Sequence, residues 1–216
     1  MAALNDVQDY LNSLLVTDRR SLTFLHNNIL ERGQLQSLEQ AAVDLATHVR
    51  NHQGKLPQQL RKWLSQPSAL EVRFQDAVIV MTGYYKDDSI SDLLERVLNQ
   101  AAYANSHRHA VAALARVQGV RASKTLTDML WQRQPVEWGL REDAILSELG
   151  HLGWTSSISH LIRALGAPHE RSVQCAARAL ARFSPSDVLT QLLRLLEGSS
   201  TAQQAVGAAE ALGLLK

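Results

Sequence analysis

The chain carries a five-residue pattern with aliphatic residues at its first, fourth and fifth positions. Its four copies are residues 90–94, 126–130, 158–162 and 189–193. Positions i, i+3 and i+4 lie on one face of an α-helix, so each copy predicts an amphipathic helix with a Leu-rich buried side. The copies begin 36, 32 and 31 residues apart, which indicates an internal repeat.

A second, Ala-rich pattern alternates with the first, and each of its copies closes on Gly or Ala. The copies are residues 76–83, 108–115, 143–150, 174–181 and 206–213. Their closing residues are spaced by 32, 35, 31 and 32 positions. Because small residues let two helix axes approach closely where they cross, this pattern predicts helices that pack against one another.

Two patterns with a shared period predict a repeating unit of two antiparallel helices, one Leu-rich and one Ala-rich. A lone pair cannot bury its apolar face, so the copies are expected to stack. We therefore expect an all-α solenoid with a period of about 32 over residues 67–216, preceded by an N-terminal helical cap or degenerate repeats over residues 1–66. All five prolines fall between the predicted helices, where a missing N–H is tolerated.

The composition agrees with a helical protein and also indicates where in the cell it is expected. Apolar residues make up 45% of the chain, and the 11 glycines and 5 prolines are few for a turn-rich β fold. The single cysteine, Cys175, cannot form a disulfide within the chain, so a reducing, cytoplasmic location is expected. The longest strongly apolar run, residues 77–81, is too short to span a bilayer, so no membrane association is expected.

The segment LREDAILSELG, residues 140–150, resembles the helices of bacterial HEAT-like repeat proteins. The resemblance extends over roughly residues 70–216 and implies a right-handed superhelical solenoid of antiparallel helix pairs. It leaves the function open, because that family includes scaffolds, chromophore-lyase subunits and DNA-repair enzymes.

One stripe of the Ala-rich helices is mostly polar although its neighbours are apolar, so we expect it to face solvent on the concave side of the stack. Its arginines suit the bidentate recognition of carboxylate or phosphate. A solvated helix face, with arginines paired locally to Glu142, Asp143 or Glu170, would give the same pattern. The candidate binding residues on this stripe are Arg108, Arg116, Asp143, His151, Arg171, Gln174, Arg178 and Arg182.

Three tryptophans in predicted linkers, Trp131, Trp138 and Trp154, are candidate aromatic contacts for a partner. The alternative is that they fill gaps between adjacent repeats. Residues 138–146 are similar to a segment of HEAT-like DNA glycosylases, which set Trp residues and a catalytic Asp in the concave groove. The chain lacks strong basicity, however, and no second Trp lies on the stripe.

No motif assigns a catalytic residue, a cofactor or a metal. His107 and His109 are two residues apart and therefore point to different helix faces, and a single cysteine cannot form a Cys-x₂-Cys pair. Neither a Gly-rich phosphate loop nor a nucleophilic Ser motif occurs. We expect Cys175 to be a buried small hydrophobe, and Tyr84 and Tyr85 to lie exposed in a polar turn.

The sequence favours a non-catalytic protein–protein interaction module, a scaffold or adaptor whose concave face binds a partner protein of acidic character. Two alternatives stay open. One is a subunit of a phycobilin-lyase-type HEAT-repeat enzyme, and the other is a HEAT-like DNA-binding protein or alkylpurine DNA glycosylase. The formal net charge of +1 makes nucleic acid the less favoured partner.

Overall fold

A computed structural model describes residues 58–65, 79–80, 82–83, 85, 87, 89–100, 106–198 and 201–215. The protein is all-α, and these residues form helices and the turns between them, without a strand. The chain divides into two compact units, Met1–Val117 and Gln118–Lys216. The boundary predicted between residues 66 and 67 lies outside the described residues and stays a prediction.

The described residues of the first unit form the helices α1 (Gln58–Ser65), α2 (Ser89–Asn99) and all but the last residue of α3 (His107–Gln118), and α1 packs against α2. The predicted Leu-rich helix is confirmed in α2, and the predicted Ala-rich helix in α3. Gly83, which closes the preceding Ala-rich copy, lies directly against α3. A Cβ on Gly83 would stand 2.9 Å from Cα of Ala113, so this small residue permits a close approach.

Tyr85 corrects one prediction in this unit. Its side chain is buried, whereas the sequence indicated an exposed turn residue, and Tyr84 lies outside the described residues. The backbone N–H of Tyr85 donates to the carbonyl of Thr82 at 3.2 Å, and this bond closes a tight turn. The Tyr85 ring is buried although its backbone lies in that turn. Burial of the phenol raises its pKa from 10.0 to about 12, because the charged form loses its hydration.

The second unit contains the remaining predicted helices. They are α4 (Ala122–Leu130), α5 (Leu140–Leu152), α6 (Ile158–Ala164), α7 (Glu170–Leu180), α8 (Pro185–Glu197) and α9 (Ala202–Leu214). Short 3-10 helices at Gly119–Arg121, Pro135–Glu137 and Thr155–Ser157 precede α4, α5 and α6. Both sequence patterns therefore predicted helices correctly throughout this unit.

The helices of the second unit pack in pairs: α4 with α5, α6 with α7, and α8 with α9. Each Ala-rich helix also contacts the next one, so that α7 lies between α5 and α9. Small residues mark both crossings. A Cβ on Gly150 would lie 2.6 Å from Cα of Ala179, and one on Gly207 would lie 2.9 Å from Cγ1 of Val173.

The ends of these helices follow local rules. Gly153 ends α5 with a positive φ of 64°, a conformation that Gly adopts without strain. Pro185 stands at the start of α8, where its fixed φ suits the first turn. The Thr201 hydroxyl accepts from the Gln204 N–H at 3.2 Å and so caps α9. None of the described helices is long and apolar enough to cross a bilayer.

Candidate binding surface

The start of α5 is anchored by buried charge. The Glu142 carboxylate accepts from the backbone N–H of Gly139 at 2.9 Å and from Nε of Arg141 at 2.8 Å. Arg141 in turn donates to the carbonyl of Met129, at the end of α4, at 3.2 Å. Because Arg141 and Glu142 are buried and satisfy one another, they fix the first turn of α5 and with it the position of Asp143.

Asp143 links α5 to α7 through two contacts of its carboxylate. Its Oδ1 accepts from the Ser172 hydroxyl at 2.7 Å, and its Oδ2 lies 2.9 Å from Nε of Arg171. The side chain is only 8% exposed, so the expectation that the whole polar stripe faces solvent is wrong at this residue. The first turn of α7 covers the carboxylate and supplies both donors.

The other polar residues of the stripe are largely accessible. Arg171 pairs with Asp143 yet keeps a 69% exposed side chain. Gln174 is half-buried and donates to Glu170 at 3.1 Å, and the exposed His151 lies 3.8 Å from Glu148. The alternative interpretation, in which arginines of the stripe pair with nearby carboxylates, therefore holds for Arg171.

Arg178 and Arg182 differ from Arg171, because neither forms an ion pair or side-chain hydrogen bond within the described part of the chain. Both are exposed. Arg178 lies in the last turn of α7 and Arg182 in the turn that follows. The partial negative charge of a helix C-terminus favours cations there. We call Arg171, Arg178 and Arg182 the arginine face of α7; its last two members have guanidinium groups available to a carboxylate.

Cys175 lies beside this face. It is half-buried, less enclosed than the sequence predicted. Burial raises the pKa of its thiol, and the charge of Asp143 raises it further, while Arg171 and Arg178 act in the opposite direction. Among the described residues, no group of three or more His, Cys, Asp or Glu is placed to hold a metal ion.

Two candidate residues belong to the first unit. Arg108 and Arg116 are both exposed on α3, and Nη1 of Arg116 lies over Gly83. His107 and His109, on the same helix, are both buried. The sequence carried no signal for that burial, since histidine is compatible with either environment.

The tryptophans of the second unit divide by role. The rings of Trp131 and Trp138 lie 5.1 Å apart, and Trp138 is buried with its Nε1 donating to the carbonyl of Arg133 at 3.3 Å. Trp131 donates to Nδ1 of His160 at 3.1 Å, and the guanidinium of Arg163 lies 3.9 Å from a Trp131 ring centroid. This pair fills the space between the α4–α5 connection and α6, whereas Trp154 is partly exposed.

Comparison with protein-family models, with curated proteins and with solved structures finds no match for the chain. The residues themselves therefore carry the functional argument. They establish an all-α protein in which a buried carboxylate joins α5 to α7. Two exposed arginines, Arg178 at the end of α7 and Arg182 just after it, have no ion-pair partner among the described residues.

Proposed function

We propose that this protein is a non-catalytic binding module, a HEAT-like stack of helix pairs that holds an acidic segment of a partner protein against the arginine face of α7. The architectural part of the proposal is supported by the pairing of α4–α5, α6–α7 and α8–α9, and by the succession of Ala-rich helices at Gly150 and Gly207.

The observation that carries the functional part is the contrast among the three arginines. Asp143 holds Arg171, which fixes one end of the face, while Arg178 and Arg182 have exposed guanidinium groups without a carboxylate of the described chain. A guanidinium presents a planar fork of donors that matches a carboxylate bidentately. The same fork also matches phosphate, and we favour an acidic side chain of a partner because the formal net charge of only +1 makes nucleic acid the less favoured ligand.

Base excision is less well supported by the same residues. The carboxylate of Asp143 is buried and already accepts from Ser172 and Arg171, so it is not free to act on a substrate. Trp138 is buried against Trp131 rather than open to a flipped base.

The proposal is tested with defined probes. Fluorescence anisotropy would follow the binding of a labelled Glu-rich peptide, a Lys-rich peptide of the same length, and a short DNA duplex, each over a range of salt concentrations. We expect the Glu-rich peptide to bind best and to weaken moderately with salt, because exposed charges are screened. Tighter binding of the duplex, with log affinity falling steeply against log salt, would contradict the proposal, as would indifference to the Glu-rich peptide.

A further inference from the structure

The three members of the arginine face form a straight row along α7. Successive residues of an α-helix turn by about 100°, so Arg178 and Arg182 lie within about 20° of the direction of Arg171. The backbone keeps a helical course just beyond α7, because Ala181 has φ −65° and ψ −8° and the N–H of Arg182 donates to the carbonyl of Ala179 at 3.2 Å. With a rise of about 1.5 Å per residue, the row has intervals of about 10.5 Å and 6 Å.

The charge available to a ligand changes along this row. At its start, Nε of Arg171 is engaged by Asp143, and the neighbouring Glu170 adds a second negative charge. At its end, Arg178 and Arg182 are exposed and have no carboxylate partner in the described part of the chain. The attraction for an anion is therefore strongest at the C-terminal end of α7.

The spacing of the row distinguishes between the shapes that an acidic segment can have. In an extended segment, side chains on one face recur every second residue, at intervals of about 6.6 Å. Multiples of that interval give about 13 Å and 20 Å, so no pair matches the full row of about 16.5 Å. An α-helix carries side chains on one face at i, i+4 and i+11, which lie about 6 Å and 16.5 Å along its axis from the first. The row therefore has the spacing of a helical ligand.

We infer that the acidic segment is an α-helix lying antiparallel to α7, with carboxylates at its positions i, i+4 and i+11 facing Arg182, Arg178 and Arg171 in that order. This inference rests on the proposed function and specifies the partner of that same site. The antiparallel direction brings the first turns of the partner helix to the end of α7 that attracts anions most strongly. Acidic side chains stabilise a helix near its N-terminus, and the opposed helix dipoles attract one another in this direction.

Peptides of one composition test the shape of the partner. Each is about 18 residues long, long enough for an Ala-rich chain to form a helix, with blocked ends and three glutamates among alanine and glutamine. The first peptide carries glutamate at i, i+4 and i+11, beginning at its second residue. The second carries it at i, i+2 and i+6, which share a face only in an extended chain. The third is the first sequence written in reverse order. In fluorescence anisotropy with the wild-type protein, the first peptide should bind at least about tenfold more tightly than either of the others, because only it aligns all three carboxylates with the row.

The direction is tested by pairing a protein variant with altered peptides. In the first peptide, glutamine replaces glutamate either at i or at i+11. Arg182→Ala should weaken binding of the peptide altered at i+11 as much as it weakens binding of the original peptide. It should have no further effect on the peptide altered at i, because the contact is already absent there. Thermal melting should be unchanged in Arg182→Ala, since this side chain is exposed and outside any ion pair of the described residues.

The outcomes separate this inference from the function on which it rests. Equal or tighter binding of the second peptide would overturn the helical partner and leave an acidic binding site in place. Equal binding of the first and third peptides, or coupling of Arg182 to position i+11 rather than i, would overturn the antiparallel direction. Failure of all three peptides to bind would contradict the proposed function itself, and the inference with it.

Discussion

Gly150 of α5 lies against Ala179 of α7 so closely that a Cβ on Gly150 would stand 2.6 Å from Cα and 2.7 Å from Cβ of Ala179. The nearest atoms include backbone, which cannot rotate away as the end of a long side chain would. A Cβ has less room here than at Gly207, the other glycine at a crossing of Ala-rich helices in the second unit, so residue 150 is a sensitive probe of how these helices stack.

Gly150→Ala should lower the free energy of unfolding by about 1–3 kcal/mol, because the added methyl overpacks the crossing. The loss should exceed the gain of up to about 1 kcal/mol that Ala brings to a helix over Gly. Gly213 provides the matched control: it closes the equivalent helix α9, and a Cβ there meets no atom within 4 Å. Gly213→Ala should stabilise, by about 0.4–1 kcal/mol, in urea denaturation. A stabilising Gly150→Ala would contradict the crossing.

Asp143→Ala should cost about 1–3 kcal/mol of stability, since it leaves the buried Ser172 hydroxyl without its acceptor and Arg171 without its partner. Asp143→Asn keeps an oxygen that can accept from Ser172 and should cost less. Arg178→Ala, at an exposed residue on the same surface, should change stability by under about 0.5 kcal/mol. Equal midpoints for Asp143→Ala and Arg178→Ala in chemical denaturation would show that Asp143 does not join the helices.

Trp138→Ala should destabilise the second unit by about 3–5 kcal/mol, because it removes a buried aromatic side chain packed on Trp131. Trp154→Ala removes a partly exposed ring and should cost far less. Thermal melts of the two variants make the comparison. Similar losses for both would mean that the division of the tryptophans into a gap-filling pair and an accessible residue is incorrect.

The single thiol allows a direct titration. Followed by ultraviolet absorbance of the thiolate, Cys175 should ionise above its ordinary pKa of 9.0. Asp143→Asn should lower that pKa and Arg178→Ala should raise it, because the two charges act on the thiolate with opposite signs. An unchanged titration in both variants would place Cys175 away from these charges.

The same shift makes stability depend on pH. Because the folded-state pKa of Cys175 is raised, its contribution is fully present below the unfolded pKa and is lost as pH rises through the folded value. Stability of the wild type should therefore fall above pH 9 more steeply than that of Cys175→Ala, which lacks the titrating group. Near neutral pH, where the thiol is protonated, the stability of the two proteins should change with pH in the same way.

The sequence predicted the helices well because the spacing of apolar residues on a helix is a local property, read within one turn or two. It also identified Arg171, Arg178 and Arg182 as accessible. It failed at Asp143 because that burial depends on Ser172 and Arg171, which the packing of α7 on α5 brings to the carboxylate from the next repeat. The alignment of equivalent positions assumes the same exposure in every repeat, so it does not predict a contact that one repeat makes with the next.

Tyr85 shows a different limit. The polar residues that follow it indicated a solvated turn, yet the ring is buried. Which side of a turn faces the core depends on the helices around it, and the sequence of the turn alone does not contain that information.

Charge reversal on α7 tests the central claim most directly. Arg178→Glu/Arg182→Glu should weaken binding of the Glu-rich peptide by at least about tenfold, since each lost charge-assisted contact is worth roughly 1–3 kcal/mol, and should create affinity for the Lys-rich peptide. The matched control is Arg121→Glu/Arg194→Glu, which makes the same change in net charge at two exposed arginines outside α7 and should bind as the wild type does. If both double variants lose the Glu-rich peptide equally, the attraction comes from net charge alone, and the claim that the arginine face of α7 is a binding site is contradicted.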